Sequence, residues 1–194
     1  MKAVIVAASL LALAAGAGSS VLARQDKDVD ILQKAINKPS ANWQVQGAEQ
    51  TSKPVKDKTV VGGGGVRVEV AAASSQPWAV AAQQPISGKI ARGDTLLLAF
   101  WAKAESVDGG PATAIISGAR IQQSVAPYDA AMQGSVKIGG EWAMHTVPGK
   151  AAIDIPAGGG NVSLHLASAR QTVVLGPVFV LDFGPDYDLS KLAN

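Results

Sequence analysis

Residues 96 to 105 read LLLAFWAKAE. In an extended chain successive side chains point to opposite faces, so Leu96, Leu98, Phe100 and Ala102 share one face, and Leu97, Ala99, Trp101 and Lys103 share the other. Both faces are apolar for most of the length. Such a strand has to be covered on both sides, which makes it a central strand of a layered fold. Trp101, near its end, then reads as a packing residue rather than an outward platform.

The rest of the chain fits a sheet environment. VRVEV at 66 to 70 and NVSLHLA at 161 to 167 alternate apolar and polar positions, and QTVVLGPVFVLDFG at 171 to 184 is β-rich with a Gly-Pro break. PWAVAAQQPI, TAIISGARIQQS and EWAMHTV are further short strand candidates. Turn residues separate them, at Gly62 to Gly65, Gly109 to Pro111, Gly139 to Gly140 and Pro156 to Gly160. Short strands at this spacing, with no long helical pattern after residue 40, predict an all-β antiparallel sandwich.

Residues 1–23 read as a secretory signal peptide: Lys2, the apolar run AVIVAASLLALAAGAG, and a close at Val21 and Ala23 with the spacing signal peptidase accepts. The expected location is therefore secreted or periplasmic, with no stable membrane anchor after cleavage. Residues 24–42 read as a short helix or an arm: Val29, Ile31, Leu32, Ala35 and Ile36 recur at helical spacing, acids come early and lysines late, and Pro39 ends the run. The β-sandwich domain is expected over 43–184 and a polar tail over 185–194. The chain has no cysteine, so neither a disulfide framework nor a lipidated cysteine at the cleavage site is available. Lys and Arg number 17 against 15 acids; without Lys2 the mature chain carries 16 against 15, a balance of +1. So near-neutral a chain gives no electrostatic reason to expect nucleic acid as a partner.

Catalytic signatures are sparse. The two histidines, His145 and His165, do not stand at zinc-helix spacing, and no Gly-x-Ser-x-Gly elbow occurs. The glycines of VVGGGGVRV lead into a strand rather than a helix and are not followed by Lys-Ser or Lys-Thr, so they read as a turn and not as a phosphate loop. Glu69, Glu105, Glu141 and Asp182 could supply a carboxylate pair for glycoside cleavage only if folding brought two of them together. What remains is a set of aromatic and planar polar side chains: Trp43, Trp78, Trp101, Trp142, Tyr128, both histidines, Arg67, Arg120, Gln122, Gln123 and Asn161. Sugars pack their C–H faces on aromatic rings and need directional partners for their hydroxyls, so a sheet face with these residue types can bind glycans.

The order of motifs narrows the choice. VRVEV, then QPWAVAAQQPISGKIARGDTLLLAFWAKAE, then EWAMHTV, NVSLHLA and VLGPVFVLDFG, together resemble the carbohydrate-binding modules of the family 4, 9 and 22 group, over about residues 43 to 184. That resemblance implies a galactose-binding-like β-jelly roll and a non-catalytic role. It implies a polysaccharide or oligosaccharide held on one sheet face, with a glycan-active enzyme as a partner. The expected carbohydrate-binding residues are Trp78, in QPWAV; Arg120, Gln122 and Gln123, on the strand after the WAKA strand; Tyr128, in the loop that follows; and His145 and His165, on later strands. No catalytic residue and no cofactor is expected. Many members end in Y-I-D-D-V and hold calcium partly through the first acid, whereas FVLDFG has Leu181 there, so no metal is expected either. Two other readings stay open: an envelope glycoside hydrolase or lyase with a jelly-roll site, and a structural or protein-interaction β-sandwich.

Overall fold

The structure, a computed structural model, describes residues 31–192. The expected leader, the first part of the arm at 24–30 and the last two residues lie outside the described residues. Ten strands occur among the described residues: β1 (Gln44–Gln46), β2 (Gln50–Lys56), β3 (Gly64–Val70), β4 (Ala81–Ile86), β5 (Thr95–Glu105), β6 (Ala114–Gln123), β7 (Ala130–Ile138), β8 (Ala143–Lys150), β9 (Gly160–His165) and β10 (Gln171–Asp182). They form two antiparallel five-stranded sheets, ordered β1-β4-β9-β6-β7 and β2-β3-β10-β5-β8. The sheets stack as a sandwich of the expected class. Among the described residues no helix is long and apolar enough to cross a membrane.

Alternation decides what lies between the sheets. Leu96, Leu98, Phe100 and Ala102 of β5 meet Ile116 and Ile121 of β6 and Val162 and Leu164 of β9 in the main core. The other face of β5, Leu97, Ala99 and Trp101, joins Phe179 and Leu181 of β10 in a second buried cluster on the outside of the second sheet. Both faces of LLLAFWAKAE are thus covered, and Trp101 is buried. The cover comes from Val60 in the loop after β2, from Trp142, from the N-terminal arm through Ile31 and Ala35, and from Tyr187 and Leu192. The stretch read as a polar tail therefore contributes apolar packing: Asp188 caps a short 3-10 turn at Leu189–Lys191, and Thr95 Oγ1 donates to the Tyr187 carbonyl at 2.7 Å.

The described part of the arm is helical at Ile31 and Leu32, closes a turn by Ala35 and is extended from there. The reason lies in backbone accounting along β10. β3 pairs with β10 only over Gln171 to Leu175, and the Gly176-Pro177 break shifts the register beside it. Beyond that point the free edge of β10 needs partners. The arm supplies them: Ile36 N donates to the Val180 carbonyl, Asp182 N donates to the Lys34 carbonyl, and the buried Asn37 side chain donates to the Val178 carbonyl at 3.1 Å while accepting from Val180 N at 2.8 Å. Trp43 Nε1 donates to the Gly176 carbonyl at 2.8 Å and plugs the break. Gly176 is required there, because a Cβ would lie 2.9 Å from the Trp101 Cβ.

Asn37→Ala leaves a buried carbonyl and a buried N–H of β10 without partners, which costs about 2 kcal/mol. Urea denaturation is expected to show a lower midpoint with an unchanged slope; a midpoint equal to that of the unaltered chain would mean that the arm does not complete the sheet.

Candidate functional site

The outer face of the first sheet is polar where that of the second is apolar. On β9 the inward positions are Val162 and Leu164, so Asn161, Ser163 and His165 face outward. Strand register then lays out rows across the sheet. Gln83, Ser163 and Arg120 lie side by side on β4, β9 and β6, with Gln133 beyond on β7. Asn161 and Gln122 occupy the next row, and His165 lies between Ala81 and Gly118 in the row on the other side.

Two loops raise walls at the ends of these rows. The 3-10 turn Pro77–Ala79 before β4 carries Trp78, 57% exposed, whose ring lies 6.1 Å from that of His165 at 60°. Its position depends on Gly47, at φ +118°, where a Cβ would meet the Ala79 carbonyl oxygen at 2.1 Å. The loop between β6 and β7 carries Tyr128, 48% exposed and in the left-handed region at φ 61°. A non-glycine residue there is uncommon and has to be held by its surroundings. Tyr128 N donates to the Val125 carbonyl at 2.9 Å, and its own carbonyl accepts from Arg120 Nη2 at 3.2 Å. Between the walls lies a hollow of about 650 Å³, lined by Trp78, Gln83, Arg120, Gln122, Tyr128, Ser163 and His165 among others. That size falls within the usual range of ligand pockets, about 300–1,000 Å³.

The floor is unsatisfied. Gln122 Oε1, Ser163 Oγ and Arg120 Nε in the lining, and Asn161 Oδ1 beside it, are all shielded from solvent and have no hydrogen-bond partner among the described residues. Leaving such a group unpaired costs about 1–3 kcal/mol; these atoms lie just beneath the accessible surface, so they make the floor polar without themselves being open to the hollow.

His165 is the site's titratable base. Burial, with the neighbouring Arg120 charge acting in the same direction, pushes its pKa from 6.5 down to about 4. The ring is therefore neutral at physiological pH and offers one donor and one acceptor. Gly118 gives it room, since a Cβ there would lie 2.6 Å from His165 Nδ1.

Of the seven expected site residues, five line the hollow: Trp78, Arg120, Gln122, Tyr128 and His165. Gln123 and His145 do not. Alternation along β6 turns Gln123 to the face opposite Gln122, where its Oε1 is buried without a partner. His145 belongs to the other sheet: it lies on β8 opposite Phe100, with the rings 5.8 Å apart, and burial lowers its pKa against a weaker backbone hydrogen bond with Ala102. Sequence reasoning passed over Gln83 and Ser163. The strict alternation of NVSLHLA carried the signal for Ser163, because the pattern that put His165 outward does the same for Ser163.

The remaining aromatics and acids have structural roles. Trp43 sits in the main core and Trp101 in the second cluster. Trp142 Nε1 donates to Asp57 Oδ2 at 2.7 Å, while Lys103 pairs with the same oxygen at 2.9 Å and lies over the Trp142 ring. The Thr59 hydroxyl, Trp142 and Lys103 together hold the Asp57 carboxyl far below its ordinary range. Glu69 and Glu105 share Arg67. Asp182 accepts from Gly184 N at 2.8 Å, and burial raises its pKa. Leu181 is buried in the second cluster, and among the described residues no three His, Cys, Asp or Glu side chains gather to hold an ion. These residues do not fit the calcium site of the modules named above.

No protein-family model and no curated protein matches the sequence. Among solved structures, the chain is similar to the second N-terminal cellulose-binding domain of Cellulomonas fimi β-1,4-glucanase C, at 18% identity and TM-score 0.51, over 76% of this chain and 94% of that one. The fold is that of carbohydrate-binding modules. The likeness extends to the CBM22-1 and GH10 modules of Clostridium thermocellum endo-1,4-β-D-xylanase 10B, solved with xylohexaose, at 14% identity and TM-score 0.50, over 83% of this chain and 28% of that longer one. Identities this low carry the architecture and not the ligand.

The low His165 pKa has a thermodynamic consequence. Its folded value, about 4, lies below its ordinary 6.5, so between these pH values the unfolded chain takes up a proton that the folded chain refuses. The stability contribution is complete above pH 6.5 and is lost as pH falls toward 4. His145, shifted in the same direction, adds to the loss. The melting temperature of the unaltered chain is expected to fall across this window, and that of His165→Asn to fall less; identical pH profiles would show that His165 is not held neutral.

Proposed function

We propose that this protein is an exported, non-catalytic carbohydrate-binding module that holds a segment of polysaccharide or oligosaccharide in the hollow on the outer face of its first sheet. The observation that carries the reading is the pairing of two exposed aromatic walls, Trp78 and Tyr128, with a polar lining that includes Gln83, Arg120, Gln122 and His165. The rings take the C–H faces of sugar units, and the floor takes hydroxyls that bring both donors and acceptors. The secretory leader read from residues 1–23 agrees with a ligand outside the cytoplasm.

The hydrolase or lyase reading receives less support. The lining contains a single carboxylate, Asp129, which is exposed on the rim, whereas glycoside cleavage calls on a pair. The two histidines lie on different sheets, so they do not form one catalytic group. A glycan-active enzyme is expected to act as a partner rather than within this chain.

A glycan array and pull-down on insoluble polysaccharides test the reading. Trp78→Ala is expected to weaken binding about tenfold, a loss of ~1.4 kcal/mol, with the melting temperature unchanged because the ring is mostly exposed. Binding that survives the substitution intact would remove the hollow as the site. Failure to bind any glycan would remove the function.

A further inference from the structure

We infer that the hollow selects glycans bearing a carboxylate, that is, uronate-containing chains, and that Arg120 is the group that reads the acid; the inference rests on the glycan-binding reading above. Of the four arginines among the described residues, Arg67 and Arg170 are matched to acids, whereas Arg92 and Arg120 are not; Arg92 is exposed to solvent, and Arg120 is partly buried in the lining of the hollow. Arg67 pairs with Glu105 at 2.7 Å and with Glu69 at 3.0 Å, and Arg170 pairs with Asp108. Among the described residues Arg120 enters no ion pair. One Nη donates to the neutral Tyr128 carbonyl, while Nε is shielded from solvent and has no partner.

A guanidinium offers a planar fork of donors that matches a carboxylate, and hydrogen bonds to an ionised acceptor are about twice as strong as those to a neutral one. Nη1 is the nitrogen of this guanidinium that is neither shielded nor hydrogen-bonded among the described residues, and a sugar hydroxyl there would satisfy a hydrogen bond and leave the charge uncompensated. A carboxylate satisfies both. The site sharpens this preference in two ways. His165, beside Arg120, is neutral, so the anion is read at one point rather than spread over two cations. Gln83 lies in the same register row, one strand beyond Ser163 from Arg120, and its partly exposed amide offers neutral donors to the rest of the same sugar unit. Asp129, the other charged lining residue, is exposed on the rim, where water and salt screen it.

Calorimetric titration of the full chain with oligogalacturonate and oligomannuronate, each beside its methyl ester, isolates the charge on a constant backbone. At least one acid form is expected to bind about tenfold more tightly than its ester at low salt. That advantage is expected to shrink as salt is raised to about 0.5 M and to fall below about threefold in Arg120→Gln. An ester that equals or exceeds its acid, or an advantage that persists in Arg120→Gln, overturns the inference. The acid-to-ester comparison on the unaltered chain decides even if that variant folds poorly. Cello- and xylo-oligosaccharides separate the two levels of failure. If they bind through Trp78 while no uronate is preferred, only the charge selectivity falls; if no glycan binds at all, the glycan-binding reading falls with it.

Discussion

The structure depends on the pairing of β5 with β10, two long strands in which almost every residue on either face is buried. A strand pair with two apolar faces cannot border water, so it fixes where every other element has to go. One face takes the first sheet as its lid and makes the main core. Among the described residues no third sheet covers the other face, which is closed by pieces: the arm through Ile31 and Ala35, the loop bearing Val60, the ring of Trp142, and Tyr187 and Leu192. Burying apolar surface at about 25 cal/mol per Å² makes such cover worth its ordering entropy even when it is assembled from short segments.

With the second sheet covered on both sides, it is the outer face of the first sheet that stands open and polar. Its central strand β9 places aliphatic side chains inward and Asn161, Ser163 and His165 outward, and β4 and β6 add Gln83, Arg120 and Gln122 in register. A flat polar face would simply be hydrated. The turn carrying Trp78 and the loop carrying Tyr128 make it a hollow. Both depend on backbone conformations that the surroundings enforce, a close approach at Gly47 and a left-handed φ at Tyr128. Arg120 ties floor to wall, since the carbonyl it holds belongs to Tyr128.

Period-two patterning made the architecture legible before any coordinates, because a strand's faces follow from counting alone. The two-sided burial of residues 96 to 105 and the packing role of Trp101 were readable for that reason, as was the exposure of Trp78 through the motif order. Counting fails where non-local backbone demand overrides local pattern. The arm is extended after its turn at Ile31 to Ala35 because the far half of β10 lacks a partner, and a tail that is polar by composition still contributes Tyr187 and Leu192. The site was legible in part for the same reason. His145 and His165 look alike in sequence, each alternating with apolar neighbours, and only sheet membership separates them. Gln122 and Gln123 are adjacent, so at most one of them can face the hollow, and the β-bulges of β6 decide which. Ser163 was readable from NVSLHLA; Gln83 required knowing that β4 lies beside β9.

The division of labour between the sheets explains how the hollow can be left unsatisfied. Four shielded polar atoms without partners on one face would strain the stability of a domain whose net margin is about 5–15 kcal/mol. They are tolerable because the second sheet is closed on both faces and its open strand edge is met by Asn37 and the arm. The low-dielectric setting that makes those atoms costly when unpaired also strengthens electrostatic interactions at the floor of the hollow. It also keeps His165 neutral beside a cation, since a second positive charge on that floor would be opposed by both burial and Arg120. The floor of the hollow therefore holds one cation, Arg120, amid neutral donors and acceptors, with the carboxylate of Asp129 out on the exposed rim.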